Sequence, residues 1–247
     1  MHATDVRGQE VLYEAGGVTL KGYLAWDANK KGKRPGILVV HEWWGHNNYA
    51  RRRARMLAEL GYTALALDMY GNGKHTSHPA DAQKFMQEAI GNQEVALERF
   101  QAAEDLLKTQ PTVRPDEISA IGYCFGGGVV LSMARAGLDL DLVASFHGSL
   151  STKTPAQKGK VHSKVLVLHG EDDAMTTQAQ LDTFMKEMKD AEVDLTFHAF
   201  PGAKHSFTNP ESTALGKKLG LPIAYNEQAD RESWEELVHA LQLVYPR

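Results

Sequence analysis

A single cysteine stands in this chain of 247 residues, so no disulfide can close within it and nothing in it calls for an oxidising compartment. Long apolar runs are also missing, and the longest fall well short of the roughly 20 residues that span a bilayer. Neither sign of charge dominates: 27 Lys and Arg against 31 Asp and Glu leave a net charge of −4. That mild acidity argues against a nucleic acid or a membrane surface as partner. The triplet Arg51-Arg52-Arg53 accordingly reads as a solvated helix face. Met1 to Arg7 lacks the apolar stretch of a secretory leader, and the expectation is a cytoplasmic protein.

What the chain does contain is alternation. Val11 to Tyr13 and Val18 to Trp26, parted by Gly16-Gly17, suggest an antiparallel hairpin. Gly36 to Val40 is a continuous apolar run of the kind buried in parallel sheets. A helical pattern from Asn48 to Leu60 stops at Gly61, and Tyr62 to Leu67 is the next strand. Helices are expected over Asp81–Ile90 and Gln93–Lys108, then a strand over Ile118–Ile121 and a helix over Gly126–Ala136. Strands over Leu142–Phe146, Lys164–His169 and Val193–Phe200 and helices over Thr177–Asp190 and Glu227–Val244 complete the pattern. It implies an α/β fold with a mostly parallel sheet covered on both faces. No repeat or composition break marks a linker, so residues 1–247 are expected to form one domain. Ser206 to Asn226, with Pro210, Gly216, Gly220 and Pro222, is expected to be a long loop.

The lone cysteine sits in Gly122-Tyr123-Cys124-Phe125-Gly126, between an expected strand and an expected helix. A G-x-nucleophile-x-G run at such a junction makes a strained turn that lifts the side chain above the sheet. A lone cysteine is more often a small buried hydrophobe, and the spacing and context decide against that here. A nucleophile needs a base, and the base needs an orienting group. Open parallel sheets place such groups on loops after strand C-termini. The loop Gly170-Glu171-Asp172-Asp173 offers the acid, and G-x-x-D spacing favours Asp173 over Asp172. The loop Pro201-Gly202-Ala203-Lys204-His205 offers the base, while His169 and His198 belong to strands. The order Cys124, Asp173, His205 is that of α/β-hydrolases.

Oxyanion donors are expected at the backbone N–H of Phe125, at a helix start, and of Trp43, in the loop after Val40. Beside Trp43 lies Glu42, which reads either as an ion-pair partner of Arg51 to Arg55 or as a carboxylate that disfavours a free thiolate. His41 and His46 are five apart with Gly45 between, which does not fit the helical zinc pattern, so no metal is expected. Trp44, Tyr70, His147 and Phe207 are candidate pocket residues.

Together, His41-Glu42-Trp43-Trp44-Gly45, Leu67-Asp68-Met69-Tyr70-Gly71, Gly122-Tyr123-Cys124-Phe125-Gly126-Gly127, Gly170-Glu171-Asp172-Asp173 and Lys204-His205-Ser206-Phe207 resemble the dienelactone hydrolase (carboxymethylenebutenolidase-like) family, a branch of the α/β-hydrolase fold that uses cysteine. The resemblance implies a triad of Cys124, Asp173 and His205, with Glu42 hydrogen-bonded to the resting thiol. Members that cleave the dienelactone carry an arginine a few residues after the histidine. Ser206-Phe207-Thr208-Asn209-Pro210 has none, which points to another substrate. The expected activity is hydrolysis of a small ester or lactone through a thioester, without cofactor, by a monomer or homodimer. Two alternatives are a hydrolase of other activated esters or thioesters, and a thiol redox sensor without turnover.

Overall fold

The computed structural model describes residues 3–246. Met1 and His2, part of the stretch read for a leader, lie outside the described residues. The chain falls into two compact units that divide at Ala120 and Ile121.

The first unit opens with the hairpin β1 (Val6–Ala15) and β2 (Val18–Asp27), paired antiparallel along their whole length. Gly16 and Gly17 make the turn at φ of 55° and 74°, conformations that glycine adopts without penalty. The strands β3 (Arg34–Val40) and β4 (Thr63–Leu67) pair in parallel and are buried at every position. The apolar runs Gly36 to Val40 and Ala64 to Leu67 within them are the signature of strands covered on both faces. β2 joins β4 antiparallel, and β5 (Val113–Tyr123) follows β3, giving the order β1-β2-β4-β3-β5. Between the strands run α1 (Asn48–Glu59), α2 (Pro79–Ile90) and α3 (Gln93–Lys108). α1 packs on β2 and β4, and α3 packs on β1, β3 and β4. Asn47 caps α1 by accepting the Tyr49 N–H at 3.1 Å, and Gly61, at φ 90°, turns the chain out of it.

One arginine of α1 departs from the expected solvated face. Arg53 is 3% exposed. Its Nε donates to the Tyr49 hydroxyl at 3.1 Å and its guanidinium lies 5.2 Å from that ring's centre, so an aromatic face and a hydroxyl stand in for water.

The second unit takes up the end of β5 and continues β5-β6-β7-β8 with β6 (Leu142–Phe146), β7 (Lys164–Gly170) and β8 (Leu195–Phe200), the last three mutually parallel. Its helices are α4 (Phe125–Arg135), α5 (Gln178–Asp190), α6 (Ser212–Leu219) and α7 (Glu227–Val244). α4 packs on β6, and α7 on β6 and β7. The stretch expected to be a loop over Ser206–Asn226 contains α6. Gly216 there is a packing residue and not a breaker, because a Cβ on it would stand 2.4 Å from the carbonyl oxygen of Ile223. Gly220, at φ 66°, then closes the helix, as glycine does after many helices.

Candidate active site

The candidate triad comes from chain that follows three strand ends of the second unit, those of β5, β7 and β8. Tyr123 ends β5 and Phe125 opens α4, so Cys124 is the whole connection, held at φ 54° and ψ −116°. Such backbone costs roughly 1–3 kcal/mol in a non-glycine residue and persists only where the surroundings force it. Here they do. A Cβ on Gly122 would stand 2.0 Å from the carbonyl oxygen of Gly126, and one on Gly127 would stand 2.8 Å from Cα of Gly148. The flanking glycines let α4 start directly on top of the strand end. The Cys124 carbonyl accepts the N–H of Gly127 at 3.0 Å, and Phe125 carries the first amide of α4, where the helix itself offers no acceptor.

His205 follows β8. Its Nε2 is 3.1 Å from Cys124 Sγ, and its Nδ1 is 2.8 Å from Asp173 Oδ2. Asp173 follows β7 and is 4% exposed. Its Oδ1 accepts the Met175 N–H at 2.8 Å, which fixes the carboxylate plane toward the imidazole. Asp172 is exposed, and only its backbone takes part, through a 2.9 Å bond from its N–H to the Ala203 carbonyl. That bond ties the acid loop to the histidine loop. Gly170 permits the approach, since a Cβ there would lie 2.5 Å from the same Ala203 oxygen.

The electrostatics follow from this burial. Desolvation alone lowers the pKa of His205, but the facing Cys124 charge and the hydrogen bonds to Asp173 and Cys124 outweigh it and raise the imidazole to about 10. Burial likewise pushes Asp173 up, yet the bond and charge of His205, with the Met175 N–H, hold it below the ordinary carboxylate value. His169, at the end of β7, is lowered chiefly by burial. The arrangement within this unit therefore sets the His205 imidazole between a carboxylate and the sulfur, where it can exchange a proton with either neighbour or with a leaving group.

His147 and Phe207, read as pocket residues, are both fully buried and pack edge to face with ring centres 5.1 Å apart. Thr208, which sequence reasoning missed, accepts from His147 Nε2 at 2.8 Å. Nothing in its residue type announces that role. It also occupies, with Asn209, the stretch in which dienelactone-cleaving members carry an arginine, and both side chains are buried.

The first unit holds the other predicted residues. Asp68 is fully buried and accepts the N–H groups of Lys21, Tyr70, Gly71 and Gly73 at 2.8 to 3.0 Å, which shapes the loop after β4. Tyr70, 1% exposed, donates its hydroxyl to the Trp43 carbonyl at 2.8 Å and so braces the loop after β3. In that loop Glu42 is 1% exposed, Trp44 is buried and Trp43 is half-buried. His41 donates from Nδ1 to the Glu42 carbonyl at 2.7 Å and accepts the Met69 N–H on Nε2 at 3.2 Å. Burial lowers its pKa below the ordinary histidine value. Tyr70 and Trp44, also expected in the pocket, are both buried. Among the described residues no group of three or more His, Cys, Asp or Glu is placed to hold a metal ion, and no helix is long and apolar enough to cross a membrane.

The model of the Dienelactone hydrolase family matches residues 20–244. Protein usf of Aquifex pyrophilus is 32% identical over 82% of this chain and 87% of its own. A solved dienelactone hydrolase-like promiscuous phosphotriesterase, P91, from metagenomic libraries is 34% identical and superposes with a TM-score of 0.91, covering 97% of this chain and 98% of that one. The dienelactone hydrolase of Anabaena variabilis, 18% identical, shares the fold with a TM-score of 0.63 over 87% of this chain and 95% of its own. The mixed sheet and helices are those of the α/β-hydrolase fold.

Proposed function

The chain belongs to the dienelactone hydrolase family, hydrolases of esters or lactones, and we propose that it cleaves small carboxylic esters or lactones through a thioester formed on Cys124. The observation that carries this is the unbroken line from Asp173 Oδ2 to His205 Nδ1 at 2.8 Å and from His205 Nε2 to Cys124 Sγ at 3.1 Å. Residues 1–247 are taken as one hydrolase domain, since the family model runs across residues of both units.

The Cys124 thiolate attacks the substrate carbonyl carbon, and the carbonyl π electrons move onto oxygen. The Phe125 N–H, at the start of α4, stabilises that oxyanion, and the motif reading adds the Trp43 N–H as second donor. The intermediate collapses, the C–O bond to the leaving group breaks, and imidazolium His205 gives the alkoxide its Nε2 proton. Neutral His205 then takes a proton from water, and the hydroxide attacks the thioester carbonyl. Cys124 leaves as thiolate, and the His205 imidazolium is restored beside it. Asp173 fixes the Nδ1–H tautomer and stabilises the imidazolium throughout. Glu42, by the family resemblance, is the carboxylate that restrains the resting thiol, in opposition to the thiolate-favouring His205. No cofactor enters, the substrate is a small molecule, and the protein works in the cytoplasm as a monomer or homodimer, with neither nucleic acid nor membrane as partner. A redox sensor has no use for the aligned Asp173 and His205.

Turnover of p-nitrophenyl acetate tests this. Wild type is expected to hydrolyse the ester and Cys124→Ala to be inactive. Full activity in Cys124→Ala would end the assignment of the nucleophile.

One comparison favours a second substrate class. The phosphotriesterase relative matches 97% of this chain at 34% identity, and we propose that the same thiolate accepts aryl phosphotriesters. Sγ attacks phosphorus, the aryloxide departs with the His205 proton, and water then breaks the S–P bond. Paraoxon hydrolysis that survives in Cys124→Ala would contradict this.

A further inference from the structure

Three non-glycine residues with positive φ lie in or beside the candidate triad in the second unit: Cys124 at 54°, His147 at 40° and Ser206 at 58°. Strain of this kind gathers at functional sites when the surrounding structure over-determines it. His147 connects the other two loops. It follows β6, and its own N–H pairs with the Leu168 carbonyl at 2.8 Å, so its backbone is anchored to the strand beside it. The next residue, Gly148, lies under the first turn of α4, where a Cβ would stand 2.7 Å from Cα of Gly127. The chain has to turn sharply there, and the imidazole is directed beneath the elbow.

The hydrogen bonds fix the state of that ring. The Cys124 N–H, which also bonds the Phe146 carbonyl at 2.9 Å, reaches His147 Nδ1 at 3.1 Å. An acceptor Nδ1 carries no proton, so His147 is the neutral Nε2–H tautomer. Its Nε2–H therefore donates to Thr208 Oγ1, at 2.8 Å. Thr208 is three residues after His205, and the His147 ring itself lies edge to face with the His205 ring at 5.5 Å.

We infer that His147 is a positioning residue that clamps the nucleophile loop to the histidine loop, holding Cys124 Sγ and His205 Nε2 in register through the Cys124 N–H on one side and Thr208 on the other. This rests on the proposed cysteine mechanism and adds a device to it. Catalytic distances tolerate little slack, since a misplacement of about 1 Å costs about 100-fold. The clamp's hydrogen bonds go to the Cys124 N–H and to Thr208 Oγ1 and not to Sγ or Nε2 of the triad, so its loss is expected to act on the chemical step and not on binding.

The test is a double-mutant cycle of Thr208→Val and His147→Asn, with Thr208→Ser as the rescue variant. Valine keeps the volume of threonine without the hydroxyl, and asparagine tolerates positive φ and keeps an acceptor for the elbow N–H while giving up the reach to Thr208. Kinetics on p-nitrophenyl acetate are read together with the pH dependence of iodoacetamide alkylation of Cys124. Each single variant is expected to lose kcat by about 10- to 100-fold at unchanged KM and to move the alkylation midpoint to higher pH. The double variant is expected to be no worse than either single one, and Thr208→Ser to restore both readouts. The clamp is overturned by singles with wild-type kcat and alkylation midpoint, by effects that add in the double, or by a Thr208→Ser as impaired as Thr208→Val. Activity in Cys124→Ala sinks the cysteine mechanism itself, whereas an inactive Cys124→Ala with unaffected clamp variants sinks the clamp alone.

Discussion

The imidazole of His205 lies 3.1 Å from the sulfur of Cys124 and is raised by it and by Asp173 to a pKa of about 10. The folded protein therefore holds the His205 proton more tightly than the unfolded chain, whose histidine titrates near the ordinary 6.5. The stability gained is fully present below about 6.5 and is lost as pH rises toward 10. Calorimetry across that window is expected to show Tm falling more steeply in wild type than in Cys124→Ser, which carries no thiolate. Parallel slopes would mean that sulfur and imidazole do not share an ion pair.

Only one of the two adjacent acids in the turn after β7 meets the histidine. Asp173→Asn disturbs the carboxylate that fixes His205 and is expected to lower kcat by about 100-fold or more, within the range such orienting acids show. Asp172→Asn alters an exposed side chain and is expected to stay near wild type. Steady-state kinetics of the two variants separate them, and a reversed order would reassign the acid.

The glycines of the elbow are unequal. A Cβ at Gly122 would stand 2.0 Å from a backbone oxygen, while one at Gly128 meets nothing closer than 3.5 Å. Gly122→Ala is expected to cost at least the roughly 1–3 kcal/mol of overpacking, at about 2–4 °C of Tm per kcal/mol for a chain of this size. Gly128→Ala is expected to leave Tm within about 1 °C of wild type, as a substitution without a clash should.

Asn209→Arg does not create a carboxylate-binding site. Asn209 is 6% exposed and its Oδ1 accepts the Glu211 N–H at 3.0 Å, so a guanidinium there displaces a buried side chain that holds its own turn. The expected result is a lower Tm without gain on a cis-dienelactone. A gain in turnover on that lactone would show that the loop opens to present the side chain.

Much of this was legible in the chain. A parallel strand such as β3 announces itself through the apolar run Gly36 to Val40, and Cys124, Asp173 and His205 lie on loops that the strand pattern already places at one edge. What stayed hidden depends on contacts distant in sequence. α6 went unread because Gly216 looks like a breaker until Ile223 packs against it. Arg53 looks solvated until Tyr49 covers it. The bond from the Tyr70 hydroxyl to the Trp43 carbonyl was hidden too, since aromatic character alone does not say which contacts a ring makes. Thr208 carries no local signal, because its role exists only through a histidine 61 residues earlier.

The most direct measurement is mass spectrometry of the protein quenched during turnover of p-nitrophenyl acetate, followed by mapping of the modified peptide. A thioester mechanism predicts one acetyl group on the peptide carrying Cys124, which appears in wild type and is absent from Cys124→Ala. Steady hydrolysis with the acetyl group on another residue, or continuing in Cys124→Ala, would contradict it.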